Sequence, residues 1–504
     1  MKLFPVRGGV HPDYRKDRTA ESAIVALPLP KALYLPLQQH IGAPAEPVVE
    51  AGQRVLKGQL LAHAGGAVSA PTHAPTSGVI EAITDVPAPH PSGLAQKTII
   101  LVPDGKDEWA ELPAAIADPF AADPDAIRKR VAEAGIVGMG GATFPSAVKL
   151  SLGTQKKIHT LLLNGAECEP YLTCDDRVMR EYAAEVVDGA RIMAHALGAP
   201  KVVVAIENNK PAAIAAMTEA AKGAANVEVT GVPVQYPMGS ERHLTQAITG
   251  LETPARKLTA DLGVVVHNVG TARAVHHAVR FGRPLLARVV TVSGGAIAKP
   301  GNLEVALGTL ASELVAFCGG LTEPPRRIVN GGPMMGQPLP GLEVPVVKGT
   351  CGILALTATE TDEQPPGPCI RCGTCVTICP CGLVPVEMAS YIRKDNLEAA
   401  AKTGVMDCVS CGSCSYICPS HIPLVHYFNY AKGAINAADR ERRKQDTTKA
   451  LVEAHTIRVE KALAAKKAAA AAAAAAKKAA AEAAAAAQAS EASAPTNANQ
   501  QGNP

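Results

Sequence analysis

The sequence predicts an α/β multidomain chain that closes with a helix-rich, cysteine-ligated domain and a basic helical tail. Three observations predict it. A buried-looking strand over 158–163 stands between helical patterns at 123–137 and 181–197. Nine of the 13 cysteines fall between Cys369 and Cys418. Residues 440–504 carry more lysine and arginine than acid on an alanine-rich background. With 504 residues the chain can hold several domains and a large buried core. A net charge of +3 and an aromatic content of 3% supply neither the field nor the stacking surfaces of nucleic-acid binding, so no nucleic-acid partner is expected.

The opening "MKLFPVRGGVHPDYRKD" sets charges and prolines where a signal peptide has its apolar run, which predicts a chain that is not exported. No apolar run approaches the ~18 residues of a membrane-spanning helix, so any membrane attachment is expected to be peripheral. Residues 46–83, with short strands, G-Q turns and a closing "APTSGVIEAI", read as a lipoyl-type barrel-sandwich within a module placed at 1–115. A carrier version needs a modifiable lysine at its hairpin tip. The tip is "GGAVSAP", so the module is expected to be structural.

The second domain is placed at 116–287. "DPDAIRKRVAEAGIVG" predicts a helix capped by Asp123 or Asp125, with Ile127, Val131 and Ala134 on its apolar face. In "GMGGATFPSAVK" (138–149), Gly138, Gly140 and Gly141 permit positive φ and close backbone approach. Their amides could cradle a phosphate whose charge Lys149 would pair, and a purely structural turn fits the same residues. The predicted strand then ends at Asn164, Glu167 and Glu169. Polar residues there match the α/β arrangement in which ligands bind at the carboxyl ends of strands, although the two acids would equally serve as helix caps. His267, His276 and His277 surround a strand-to-helix junction and are expected to be structural.

A small module that resembles a β-grasp-like domain is placed at 288–345 and the cysteine-rich domain at 360–430. "CIRCGTCVTICP" and "CVSCGSCSYICP" are both C-x2-C-x2-C-x3-C-P. Three closely spaced thiolates reach three iron corners of a cubane from one loop, and the fourth cysteine of each run serves the other cluster. The spacing predicts one [4Fe-4S] cluster on Cys369, Cys372, Cys375 and Cys418, and a second on Cys408, Cys411, Cys414 and Cys379. "VEMASYIRKDNLEAAAKTG" between the runs has a helical apolar pattern closed by Gly404, and Cys381 is a spare thiol near a cluster. Cys168, Cys174, Cys318 and Cys351 are expected to be buried free thiols. The tail, 431–504, favours helix to about Ala487 and then turns Ser/Pro/Asn-rich, a composition that predicts disorder.

Four stretches, "GMGGATFPSAVK", "NGAECEP" (164–170), "YPMGSERHLTQAITG" (236–250) and "VVHNVGTARAV" (265–275), resemble in order the flavin-site motifs of the flavoprotein subunit of respiratory complex I. The resemblance implies FMN and NADH in one cleft, with Gly138, Gly140, Gly141, Lys149, Asn164, Tyr236, Gly239, Asn268 and Thr271 toward the flavin and Glu167, Glu169 and Glu241 as lining acids. Ala166, Ser240 and Gly270 stand where that family has carboxylates. The order of the five segments, over roughly residues 1–435, is similar to that of the C subunits of Rnf-type electron-transport complexes. That similarity implies an oxidoreductase subunit of a translocase, peripheral on the cytoplasmic face of the cell inner membrane. It would exchange electrons between NAD(H) and a low-potential ferredoxin-like carrier, alongside integral-membrane and iron-sulfur subunits. An iron-sulfur adaptor with a degenerate flavin site, and the diaphorase subunit of a soluble hydrogenase or formate dehydrogenase, remain open alternatives.

Overall fold

The computed structural model describes residues 2–361 and 363–491. The Ser/Pro/Asn-rich end expected to be disordered lies largely outside the described residues. The chain divides into two units, Met1–Ala431 and Lys432–Pro504.

Two sheets form the barrel-sandwich. One orders Leu33–Pro36, Ala95–Pro103, Gly78–Pro87 and Arg54–Val55; the other orders Glu46–Pro47, Leu60–His63 and Thr72–His73. The apolar side chains of alternating positions, Leu33, Leu35, Ile99 and Leu101 among them, meet inside. Its hairpin tip is packed down: Ser69 donates to the Ala43 carbonyl at 2.9 Å, and a Cβ on Gly42 would strike the Val68 carbonyl oxygen at 1.9 Å. A tip held in this way does not swing as a carrier arm does.

The next domain is a four-stranded parallel sheet in the order Val227–Val232, Lys201–Glu207, Thr160–Gly165, Val264–Asn268. Asp123 caps the preceding helix Pro124–Glu133 by accepting the Asp125 N–H at 2.9 Å. The central strand begins two residues later than the sequence pattern suggests and runs through Asn164, because its pairing with Lys201–Glu207 extends to Gly165. From this strand the chain steps outward twice to one side, then crosses back to add Val264–Asn268 on the other. The reversal opens a crevice between the two adjacent strands at their carboxyl ends, where Asn164 and Asn268 are register partners.

A six-stranded sheet follows, formed around Ala287–Ser293, Gly301–Ala306, Arg327–Asn330 and Gly352–Leu356, with the helix Ala311–Phe317 packed on it. The N-terminal segment adds Ile24–Ala26 to its edge, parallel to Gly301–Ala306. Before that, the same segment bridges Val10 to Tyr236 and gives the Gly9 N–H to the Ile378 carbonyl at 2.9 Å. Residues 2–26 therefore tie three domains together and take no part in the sandwich. Lys348 does similar work from inside. Fully buried, its ammonium donates to Pro71 and Gly135 carbonyls at 2.6 and 2.8 Å, and burial lowers its pKa to about 7.

The helical pattern between the cysteine runs is two helices, Pro385–Arg393 and Leu397–Lys402. Asp395 takes φ +57 between them, and Asn396 caps the second by accepting the Ala399 N–H at 3.0 Å. An Asp-Asn pair supplies both the left-handed residue and the cap, which is why the helix breaks there. The last helix runs Leu424–Glu491, and in the second unit its described residues from Arg440 onward are exposed. No helix among the described residues is long and apolar enough to cross a membrane.

Candidate functional site

The switch-point crevice collects most of the residues singled out by the sequence. The glycine turn is closed by Gly138 N–H to the Phe144 carbonyl at 2.8 Å and pinned to the neighbouring helix by Met139 N–H to Thr271 Oγ1 at 2.9 Å. Gly140 and Gly141 are exposed. A Cβ on Gly140 would come within 3.3 Å of the Asn268 Cβ, while one on Gly141, at φ +99, would meet no atom within 4 Å. That open space beside the turn is what a bound phosphate or ring edge requires. Asn268 Oδ1 accepts the Gly270 N–H at 2.8 Å, capping the helix Val269–Phe281, and its amide donates to Asp175 at 2.6 Å. Asn164 donates to the Gly239 carbonyl at 2.8 Å, and the Gly239 N–H reaches Cys168 Sγ at 3.3 Å.

Other expected site residues are placed differently. Lys149, expected to face a phosphate, donates to Glu241 at 2.8 Å and to the Val266 carbonyl at 2.9 Å. Glu167 accepts the Asp175 and Asp176 N–H groups at 2.6 and 3.2 Å, capping the helix Cys174–Glu181. Glu169 accepts the Met334 and Met335 N–H groups at 3.0 and 2.8 Å, fastening the β-grasp-like domain to the crevice, and burial raises its pKa to about 7. The Tyr236 hydroxyl points out of the crevice and donates to the Cys411 carbonyl at 2.6 Å.

Beneath the crevice lies a charged layer that the sequence did not reveal. Lys210 donates to the Ala166 carbonyl at 2.7 Å and pairs with Glu207 at 3.1 Å, both side chains buried. Lys16 donates to the carbonyls of Glu167 and Glu169 at 2.9 and 2.8 Å. Burial raises the pKa of Glu207 and lowers that of Lys16; burial and the nearby Glu167 raise that of Asp175. Glu207 Oε1 and His267 Nε2, on the ends of two sheet strands, are buried without a partner among the described residues. Glu207 was detectable, since "VVVAIENNKP" repeats the pattern of an apolar strand ending in polar residues. Lys16 was not, because "YRKDR" has the composition of a solvated stretch. His276 and His277 pair with Asp188 and Glu185 at 2.7 and 2.9 Å, in the structural role expected of them.

The two cysteine runs share one loop geometry. Arg371 and Ser410 take φ +57 and +56 at matching positions, and Gly373 and Gly412 follow at +76 and +80. The thiols sort into two groups. Cys375 has Cys372, Cys418 and Cys369 as charge neighbours, whereas Cys414 has Cys411, Cys408 and Cys379, and more weakly Cys375. Cys369 and Cys372 are exposed; Cys379, Cys411 and Cys414 are buried. The second group lines a cavity, partly open to solvent, walled by Pro380, Met388 and Phe428. Four convergent thiols in an apolar cavity fit a thiolate-held cluster. One buried apolar group, Val10, Cys168, Tyr236 and Cys411, joins the crevice loop to this cavity.

Residues 4–106 match the RnfC barrel sandwich hybrid domain, 131–277 the Nuo51 FMN-binding domain, 289–338 the SLBB domain and 365–422 the 4Fe-4S dicluster domain. The chain thus carries an FMN-binding domain and a two-cluster iron-sulfur domain. It is 58% identical over 446 residues to the C subunit of the ion-translocating oxidoreductase complex of Rhodobacter capsulatus, covering 88% of this chain and 85% of that one. It is 46% identical over 446 residues to the C subunit of the proton-translocating ferredoxin:NAD(+) oxidoreductase complex of Clostridium ljungdahlii, covering 88% and 96%. A chain of an NAD+-reducing [NiFe]-hydrogenase overlays with a TM-score of 0.45 at 19% identity, covering 64% of this chain and 63% of that chain.

Proposed function

The chain belongs to the family of C subunits of ion-translocating oxidoreductase complexes, and from that premise we propose that it exchanges electrons between NAD(H), FMN and two [4Fe-4S] clusters. Bound FMN would supply the conversion between a hydride pair and single electrons, and the clusters would carry those electrons singly. The observation that carries this reading is the contact between crevice and cavity. Tyr236 and Gly239 lie on one loop, Gly239 against Asn164 and Tyr236 on the Cys411 carbonyl, so the crevice and the cavity adjoin through packed protein.

The chain's own residues then have distinct tasks. Gly140 and Gly141 leave room for the phosphate end of the flavin, and Asn164 and Asn268 flank the switch point. Lys149 holds positive charge at the crevice, with Glu241 offsetting it. Cys369, Cys372, Cys375 and Cys418 would hold the first cluster, and Cys408, Cys411, Cys414 and Cys379 the second. Integral-membrane and iron-sulfur subunits and a ferredoxin-like carrier are the expected partners, at the cytoplasmic face of the cell inner membrane. Anaerobically prepared protein should contain one FMN, about eight irons and as much acid-labile sulfide. Stoichiometric zinc without sulfide would remove the cluster reading. Clusters with a crevice that never takes FMN would leave an iron-sulfur adaptor, a role favoured by the Lys149–Glu241 ion pair already closed at 2.8 Å.

A further inference from the structure

The cavity of the second cysteine group is lined by five thiols, not four: Cys379, Cys381, Cys408, Cys411 and Cys414. A cubane offers four iron corners. Cys379 and Cys381 sit on one turn, Cys379-Pro380-Cys381-Gly382, closed by the Gly382 N–H to the Cys379 carbonyl at 3.1 Å. Pro380 fixes φ at its second position, and Gly382 completes it at φ +64. Both cysteines of this turn line the same space. Cys381 has Cys379, Cys408 and Cys411 as charge neighbours. We infer that Cys381 is a reserve ligand of the second cluster, placed to take the iron corner of Cys379. The inference rests on the two-cluster reading above.

The chain contains its own control. Where the first run ends Cys379-Pro380-Cys381, the second ends Cys418-Pro419-Ser420. The corner of the first cluster assigned to Cys418 thus has no thiol two residues on. In the exchange at the second cluster, the Cys381 S–H bond breaks and its proton passes to water. An S–Fe bond to Cys381 replaces that to Cys379, and the departing Cys379 thiolate takes up a proton. No electron moves. The consequence is a cluster that survives damage to one ligand.

The test uses the full-length holoprotein, with iron and sulfide counted and the reduced clusters recorded by EPR, and with flavin content and far-UV circular dichroism as folding checks. Cys381→Ala alone should leave about eight irons and both signals unchanged. Cys379→Ala should also keep about eight irons, with the second cluster's signal shifted, whereas Cys418→Ala and the double variant Cys379→Ala/Cys381→Ala should each keep about four. If Cys379→Ala alone falls to about four irons, or the double variant keeps about eight, the inference is overturned. Should Cys379→Ala fail to fold, Cys379→Ser retains the turn. Comparison with Cys379→Ser/Cys381→Ala then decides, since equal iron content and equal spectra contradict the inference and loss in the double variant alone supports it. Unmutated protein with far fewer than about eight irons would instead strike the proposed function.

Discussion

Replacing Tyr236 by phenylalanine separates two roles for one residue. By family resemblance its side chain belongs to the flavin cleft; in the structure its hydroxyl, on a fully buried ring, donates to the Cys411 carbonyl at 2.6 Å. Tyr236→Phe keeps the ring packed with Val10 and Cys168 and removes only that donor. Cys411 is itself buried, so losing the bond should cost about 1–3 kcal/mol of the closed state of the 408–414 loop. Loop opening then becomes roughly 5- to 150-fold more frequent. The assay is iron release to an excess of chelator under anaerobic conditions, followed by loss of visible absorbance, with bound FMN measured in parallel. Second-cluster iron should leave faster by a factor in that range, first-cluster iron at its former rate, and FMN content should not change. Loss of FMN with unchanged iron release would refute the geometry and return Tyr236 to the flavin cleft.

Gly141→Val should give folded protein with both clusters and at least tenfold less flavin, because its side chain would fill open space beside the turn while φ +99 adds strain; flavin and iron assays on one preparation check this. Lys149→Met, which leaves Glu241 without its cationic partner at the crevice, should weaken FMN binding in a titration of apoprotein without altering iron content. Lys348→Met tests the buried ammonium. Its folded pKa of about 7 lies below the ordinary 10.5, so the unfolded chain binds more protons between these values and stability rises with pH across that window. From pH 7.5 to 9 the wild type should gain about 2 kcal/mol relative to the variant in urea unfolding, and parallel curves would contradict the assignment. Deleting residues 446–504 should change neither iron nor FMN content, since the described residues there are exposed and belong to the second unit. Membranes bearing the complex should release the subunit at high salt, and its retention would argue against a peripheral, charge-dependent attachment.

How much the sequence disclosed depended on the range of the interactions involved. The two cysteine runs, the Asp123 cap and the strand ending near Asn164 were legible because local spacing alone determines them. The spacing also assigns Cys418 to the first cluster, since a cubane loop supplies three corners and must borrow the fourth, and Cys418 is among the charge neighbours of Cys375. The break at Asp395 was missed because the apolar periodicity continues through it while the backbone does not. What no local pattern disclosed was assembly. Lys16 and Lys348 carry charge in sequence and end buried on backbone carbonyls, where the fold leaves acceptors that only a long side chain can reach. Ile24–Ala26 has too few residues to read as a strand, and it exists because Gly301–Ala306 presents an edge to it. Tyr236 and Glu169 keep their family positions in sequence yet bind neighbouring domains, because their surroundings are made by residues about 165 or more positions away.

The central claim is that the crevice and the cysteine cavity form one electron path opened by NADH. Its most direct measurement is anaerobic addition of NADH to the purified holoprotein in a stopped-flow spectrophotometer, recording flavin and iron-sulfur absorbance together. The flavin band should bleach first, then the broad iron-sulfur band, with reduced clusters visible by EPR in the same sample. Flavin that bleaches while the clusters stay oxidised, although dithionite reduces them, would contradict the path; flavin and clusters both unmoved by NADH would contradict the claim that this chain is where NAD(H) exchanges its electrons.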